Sequence, residues 1–130
     1  MSDNDFVSDD LLEVVYRDVY RAACEDVVSQ LEQPSGRKPT PRTVKLHEWY
    51  EKLGDQDRKF LKDIVSEAAD AAVFGMLCLL DNVRPVSKGF KTELRVYVAT
   101  EGRDSPLPIS EELHAAFRYL VDTRDRSTDI

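Results

Sequence analysis

Glycine, cysteine and histidine are scarce in this 130-residue chain, and each scarcity removes a class of chemistry. Gly54, Gly75, Gly89 and Gly102 stand alone in turn or helix contexts, so no glycine-rich loop is present to cradle a phosphate. His47 and His114 lie far apart and form no His-x-x-x-His pair for a metal. Cys24 and Cys78 have neither a CxxC partner nor an adjacent histidine to generate a thiolate nucleophile. Both fall in apolar helical pattern, as buried free thiols of a reducing compartment do. Bases are outnumbered, 18 against 25 acids, for a formal net charge of −7. That balance argues against general affinity for nucleic acid or an anionic membrane, and it suits a basic partner. No apolar run reaches the about 20 residues that a bilayer needs. Met1-Ser2-Asp3-Asn4-Asp5 has no basic or apolar region of a secretory signal, which makes the cytoplasm the expected compartment. No catalytic residue, cofactor or metal is expected.

The chain is rich in helical periodicity instead. From Asp57 to Leu80 a helix begins amphipathic, with Phe60, Leu61, Ile64, Val65 and Ala68 on one side and Lys59, Lys62, Asp63, Ser66, Glu67 and Asp70 on the other. In its second half, Ala71 to Leu80, the polar side vanishes, which implies a core helix covered by protein on every face. Gly75 in its interior fits the close approach of a neighbouring backbone.

Around this element the remaining chain reads as one domain, 1–130, with 1–8 and 124–130 as frayed tails. A first helix is expected from a cap among Ser8, Asp9 and Asp10 to about Glu32, with Leu12, Val15, Tyr16, Val19, Ala22, Ala23 and Val27 facing inward. Asp26 falls on that apolar side and fits an edge position or a paired one. Residues 34–42 hold three prolines, a glycine and several bases, and form a loop. Thr43 can cap a short helix to about Lys52, with Leu46, Trp49, Tyr50 and Leu53 on one face and the tryptophan as a core anchor. After Leu80, Asp81-Asn82 and Pro85 end the central helix. Residues 83–87 read as a short edge strand beside a clear strand at 91–100, where Thr92, Leu94, Val96 and Val98 alternate with Glu93, Arg95 and Tyr97. Glu101-Gly102 turns the chain into an irregular return, and Ser110 caps a last helix with Leu113, Ala116, Phe117 and Leu120 inside. The fold class expected is therefore α+β and predominantly helical, with about four helices and a small two-stranded β element.

Two surfaces are candidates for binding. Asp10, Glu13, Asp18, Glu25 and Glu32 share an outward sector of the first helix and would attract a basic partner. Alternatively Asp70 rims an apolar patch of Val73, Phe74 and Leu77, through which a small structural or regulatory subunit would dock or dimerise. Glu67 and Asp70 stand at i and i+3, a spacing compatible with a hard cation but better explained as a salt-bridged face.

The order of pieces resembles small bacterial immunity-type proteins. In those chains two or three helices lead into an apolar helix ending near Leu-Leu-Asp, then a short β segment and a closing helix containing Leu-His. Here the corresponding pieces are Ile64 to Val83, Lys91 to Thr100 and Ser110 to Val121. The resemblance implies a non-catalytic protein that binds and occludes a cognate toxin, and it assigns no individual residue.

Overall fold

The computed structural model describes residues 3–107 and 112–126, with side chains from Asp9 onward. It is predominantly helical α+β, with four helical stretches and one two-stranded antiparallel sheet. Helix α1 covers 3–32 and changes pitch on the way: α-helical over Asp3–Val14, π-helical over Val15–Arg21 and α-helical again over Ala22–Glu32. Helix α2 is Pro41–Glu51, α3 is Asp55–Leu80 and α4 is Leu113–Arg124. Strand β1 is Val96–Thr100 and β2 is Arg103–Leu107.

The π turn decides which face of α1 is buried. An i→i+5 turn admits one extra residue and moves every later side chain round the axis. Leu12, Tyr20, Cys24 and Leu31 are buried, whereas Val19 and Val27, expected inside, are 48% and 47% exposed. Asp26 is exposed as well, so its apparent conflict with the apolar face came from assuming a uniform pitch. The helix starts at Asp3 rather than at a cap among Ser8, Asp9 and Asp10.

Helix α2 begins three residues earlier than a cap at Thr43 would allow. Thr40 is the N-cap, its hydroxyl accepting from the Thr43 N–H at 3.2 Å, and Pro41 takes the first helical position, where a missing N–H costs nothing. The buried face then runs through Tyr50, with His47 half-buried and its Nδ1–H donating to the Leu31 carbonyl at 2.7 Å. Trp49 is 48% exposed and does not anchor the core.

Helix α3 ends in a Schellman motif. Asn82 takes the left-handed conformation at φ 61°, Val83 N–H donates to the Cys78 carbonyl at 2.9 Å, and Asn82 N–H to Leu79 at 3.1 Å. The Asn82 carboxamide then clamps the backbone of Leu94, donating to its carbonyl at 3.0 Å and accepting from its N–H at 2.8 Å. Residues 83–93 are thereby closed into a loop, and 83–87 forms no strand. The partner of β1 is the return segment itself, in register from Val96↔Leu107 to Thr100↔Arg103. The two-residue turn has φ 49° at Glu101 and 81° at Gly102, the paired positive values of a type I′ hairpin.

The core lies where α1, the second half of α3 and α4 meet. Its most completely buried side chains are Tyr20, Leu113, Phe117 and Val121, with Leu12, Cys24 and Leu77 beside them. Tyr20 meets the Phe117 ring edge-on at 5.7 Å between centroids. Helix α4, not α3, is the innermost element. The expected cap at Ser110 lies outside the described residues.

Candidate functional site

The polar groups that α4 meets are used for holding the fold. Asp70 on α3 is 3% exposed; its Oδ1 accepts from Arg118 Nε at 3.1 Å and its Oδ2 from Arg126 Nη2 at 2.7 Å. Arg126 also reaches Glu67 at 3.0 Å and Asp122 at 2.9 Å, and the hydrogen bond it donates to Asp70 leads the effects that raise its pKa. Glu67 and Asp70 therefore share an arginine rather than a cation site. A second station joins the end of α3 to the start of α4. Asp81, with its side chain wholly buried, accepts from the His114 N–H at 2.8 Å and lies 2.5 Å from Nδ1 of the same residue. A carboxylate at a helix N-terminus is favoured by the free N–H groups and the dipole there. His114 Nε2 faces Glu112 at 3.2 Å, and the ring meets Phe74 edge-on. Glu111 and His114 stand at Glu-x-x-His spacing, but Glu111 lies outside the described residues and both ring nitrogens of His114 already have carboxylate neighbours. A third station ties the chain's end to α1. Tyr16 donates to Asp125, Arg21 lies 3.7 Å from Asp125, and Arg124 forms a two-pronged pair with Glu13. Burial and the Asp125 carboxylate push the Tyr16 hydroxyl up to about 12. Of the loose tail expected at 124–130, residues 124–126 are thus pinned at three points, and the remainder lies outside the described residues.

Among the described residues no cluster of His, Cys, Asp and Glu is arranged to hold a metal. The cavities are shallow grooves. One of about 260 Å³ runs between α1 and α2, lined by Asp26, Val27, Gln30, Leu31, Thr43 and Leu46. It carries a single exposed carboxylate and no nucleophile.

The five acidic residues expected to bind, Asp10, Glu13, Asp18, Glu25 and Glu32, are all exposed, yet four of them have an intramolecular cation. Glu13 pairs with Arg124, Asp18 with Arg17 at 2.9 Å, Glu25 with Arg21 at 3.6 Å, and Glu32 lies 3.7 Å from Lys62. Hydrogen bonds from Arg124 and Arg17 hold the Glu13 and Asp18 carboxyls below their ordinary values. Asp10 alone of the five has no cation within ion-pair distance. The π turn also separates them, so that Glu13 reaches α4 while Glu32 reaches α3.

The apolar patch expected at Val73, Phe74 and Leu77 is internal. Leu77 is 4% exposed, Val73 and Phe74 pack against the core, and the Arg118 guanidinium lies 4.0 Å from the centroid of Phe74. What covers it is α4 rather than the strand. Phe60, Ile64, Ala68, Ala72 and Met76, four residues apart throughout, follow an exposed ridge that winds about 160° round α3 from its first residue to its last. Phe60 is 53% exposed, Ile64 63% and Met76 58%, with Ala68 and Ala72 exposed between them. At 1.5 Å per residue the ridge is roughly 24 Å long. Gly75 borders it, and a Cβ there would come 3.2 Å from Arg84 Nη1. The close neighbour that Gly75 accommodates is a side chain, not a backbone. Sequence periodicity had placed Phe60, Ile64 and Ala68 on the inner side; the buried face of α3 rotates along its length instead, following α1 and α2 first and α4 later.

No known family, no curated protein and no solved structure matches the chain. No described helix is long and apolar enough to cross a membrane.

Proposed function

We propose that this chain is a non-catalytic protein-binding module whose docking surface is the open ridge of α3. The observation that carries this is the run Phe60, Ile64, Ala68, Ala72 and Met76, apolar at every i+4 step and largely exposed over about 24 Å while it winds about 160° round the helix. Large side chains at both ends and alanines in the middle suit a helix laid across the ridge, which needs close backbone approach. The buried Asp70 supports the reading from the other side, because both of its carboxylate oxygens are taken up by arginines that join α3 to α4 and the segment beyond it.

A second reading keeps the immunity or inhibitor role for a basic toxin, with α1 as the recognition face. What favours it is the net charge of −7 and the unpaired Asp10 near the start of α1. The internal pairing of Glu13, Asp18, Glu25 and Glu32 weakens it, since a partner's bases would compete with cations already in place.

A photo-crosslinking side chain placed at Phe60, Met76, Asp10 or Glu25 in cells separates the two. The docking reading expects covalent protein adducts from positions 60 and 76. Adducts from Asp10 and Glu25 alone would overturn it in favour of the toxin inhibitor.

A further inference from the structure

We infer that the outer face of α2, with the groove it forms against α1, is a second docking surface, and that its occupant is an acidic, amphipathic segment of another protein. The face shares no residue with the α3 ridge and stands independently of it. Leu46 and Trp49 lie about 60° apart on α2 at about 100° per residue, and they are 46% and 48% exposed. Leu46 also lines the groove of about 260 Å³ together with Val27 of α1, itself 47% exposed. A large aromatic side chain beside an apolar slot is the composition of an interface hot spot.

Charge sets the sign of the partner. Arg42 falls between Leu46 and Trp49 on the wheel, about 40° from the first and 20° from the second, and Lys45 falls about 40° beyond Trp49. Lys52, just past the end of α2, follows Trp49 by three residues. All three bases are exposed, and none makes an ion pair or hydrogen bond among the described residues. Arg17, Arg21, Lys62 and Arg124, by contrast, are engaged by carboxylates of the chain itself. From Pro34 to Lys45 the chain carries four bases and no acid, although its net charge is −7. The exposed acids bordering the face are Asp26, on the α1 wall of the groove, and Glu48, about 60° beyond Lys45. Unpaired bases beside an apolar slot fit a helical segment that carries carboxylates next to its apolar anchors. Those carboxylates lie toward α2 and away from Asp26. The acidity of the surface as a whole disfavours nucleic acid in the same place.

Selection of a display library of short random peptides lacking tryptophan on the full chain tests this. Enriched peptides are then titrated against the emission of Trp49, the chain's single tryptophan. They should carry Asp or Glu beside apolar residues at helical spacing, and they should shift that emission to the blue as they bind. Arg42→Glu and Lys45→Glu should each weaken binding about fivefold, as expected for exposed charge pairs lost and reversed, and Asp26→Lys should strengthen it. Leu46→Lys should abolish binding even though it adds a base, with an unchanged circular dichroism spectrum. No enrichment, or enriched peptides without acidic residues, would overturn the proposal. So would peptides that bind Leu46→Lys as tightly as wild type, since charge alone would then hold them. A DNA or RNA oligonucleotide that shifts Trp49 emission at lower concentration than any peptide would overturn it in favour of nucleic acid. A blue shift on concentrating the chain alone would overturn it in favour of a second copy. The crosslinks expected from positions 60 and 76 do not depend on any of these results.

Discussion

Asp70 shows how a single carboxylate organises two elements. It sits on α3, is 3% exposed, and receives Arg118 from α4 and Arg126 from beyond it. The arginines are 36% and 30% exposed, so part of their charge stays hydrated when the partner is lost. Asp70→Ala should therefore cost about 2–3 kcal/mol, toward or below the lower end for breaking a buried pair, measured by urea unfolding. Glu13→Gln removes the partner of Arg124 in solvent and should shift the same midpoint far less. Equal effects would mean that Asp70 is not the anchor described here. Tyr16 adds a pH signature. Its hydroxyl is pushed from 10.0 to about 12 by burial and by Asp125. The folded state therefore holds that proton more tightly than the unfolded one. The stability this contributes is complete below about 10 and is lost as pH rises through about 12. Tyr16→Phe should flatten the fall in thermal stability over that window; an unchanged slope would contradict the Asp125 hydrogen bond. Little of this was legible beforehand. Glu67 and Asp70 are visible as an i, i+3 pair, but their partners lie 48 and 56 residues on from Asp70 along the chain, in a stretch that reads as helix surface and tail.

At the scale of elements, what could be read locally was read well, and what depended on pitch or pairing was not. The loop expected at 34–42 gives up 41 and 42 to a helix, and the strand expected at 91–100 forms only over Val96–Thr100, because Asn82 holds the backbone of Leu94 instead. All four helical stretches follow from periodicity and turn residues. The face of α1 did not, because a π turn leaves no simple mark in hydrophobic pattern and shifts Tyr20 inward and Val19 outward. The hairpin partner was missed because Glu-Gly is a poor signature for a type I′ turn, which favours Asn-Gly, and because Pro106 demotes the return strand. The π turn yields a prediction. Deleting Asp18, an exposed residue inside it, should let the turn close as α-helix and keep both flanking faces in place. The variant should fold with wild-type helicity. Deleting the exposed Asp63 from the regular α3 should instead rotate the face beyond it by about 100° and unfold the domain. Collapse of both variants alike would show that the π turn is not a one-residue insertion.

For the whole molecule, the apolar excess of α3 was legible in the sequence, but its direction was not. A helix apolar on most of its circumference reads as one wrapped by its own chain. Here α4 covers Leu77 and Phe74, α1 and α2 follow the first half, and the described residues leave Phe60, Ile64, Ala68, Ala72 and Met76 largely exposed. Among the described residues, the apolar circumference of α3 exceeds what the other helical stretches cover. The proposed docking surface draws on that surplus. Both native thiols are buried, Cys24 at 7% and Cys78 at 2% exposure, which makes an added surface cysteine a clean probe. The most direct measurement is crosslinking from a thiol-reactive photoprobe attached to Ala68→Cys in the exposed part of α3. Covalent protein adducts are expected from Ala68→Cys in cell extract, and only background levels from Ala99→Cys on the exposed sheet. Equal crosslinking at both positions would contradict the proposed docking through α3.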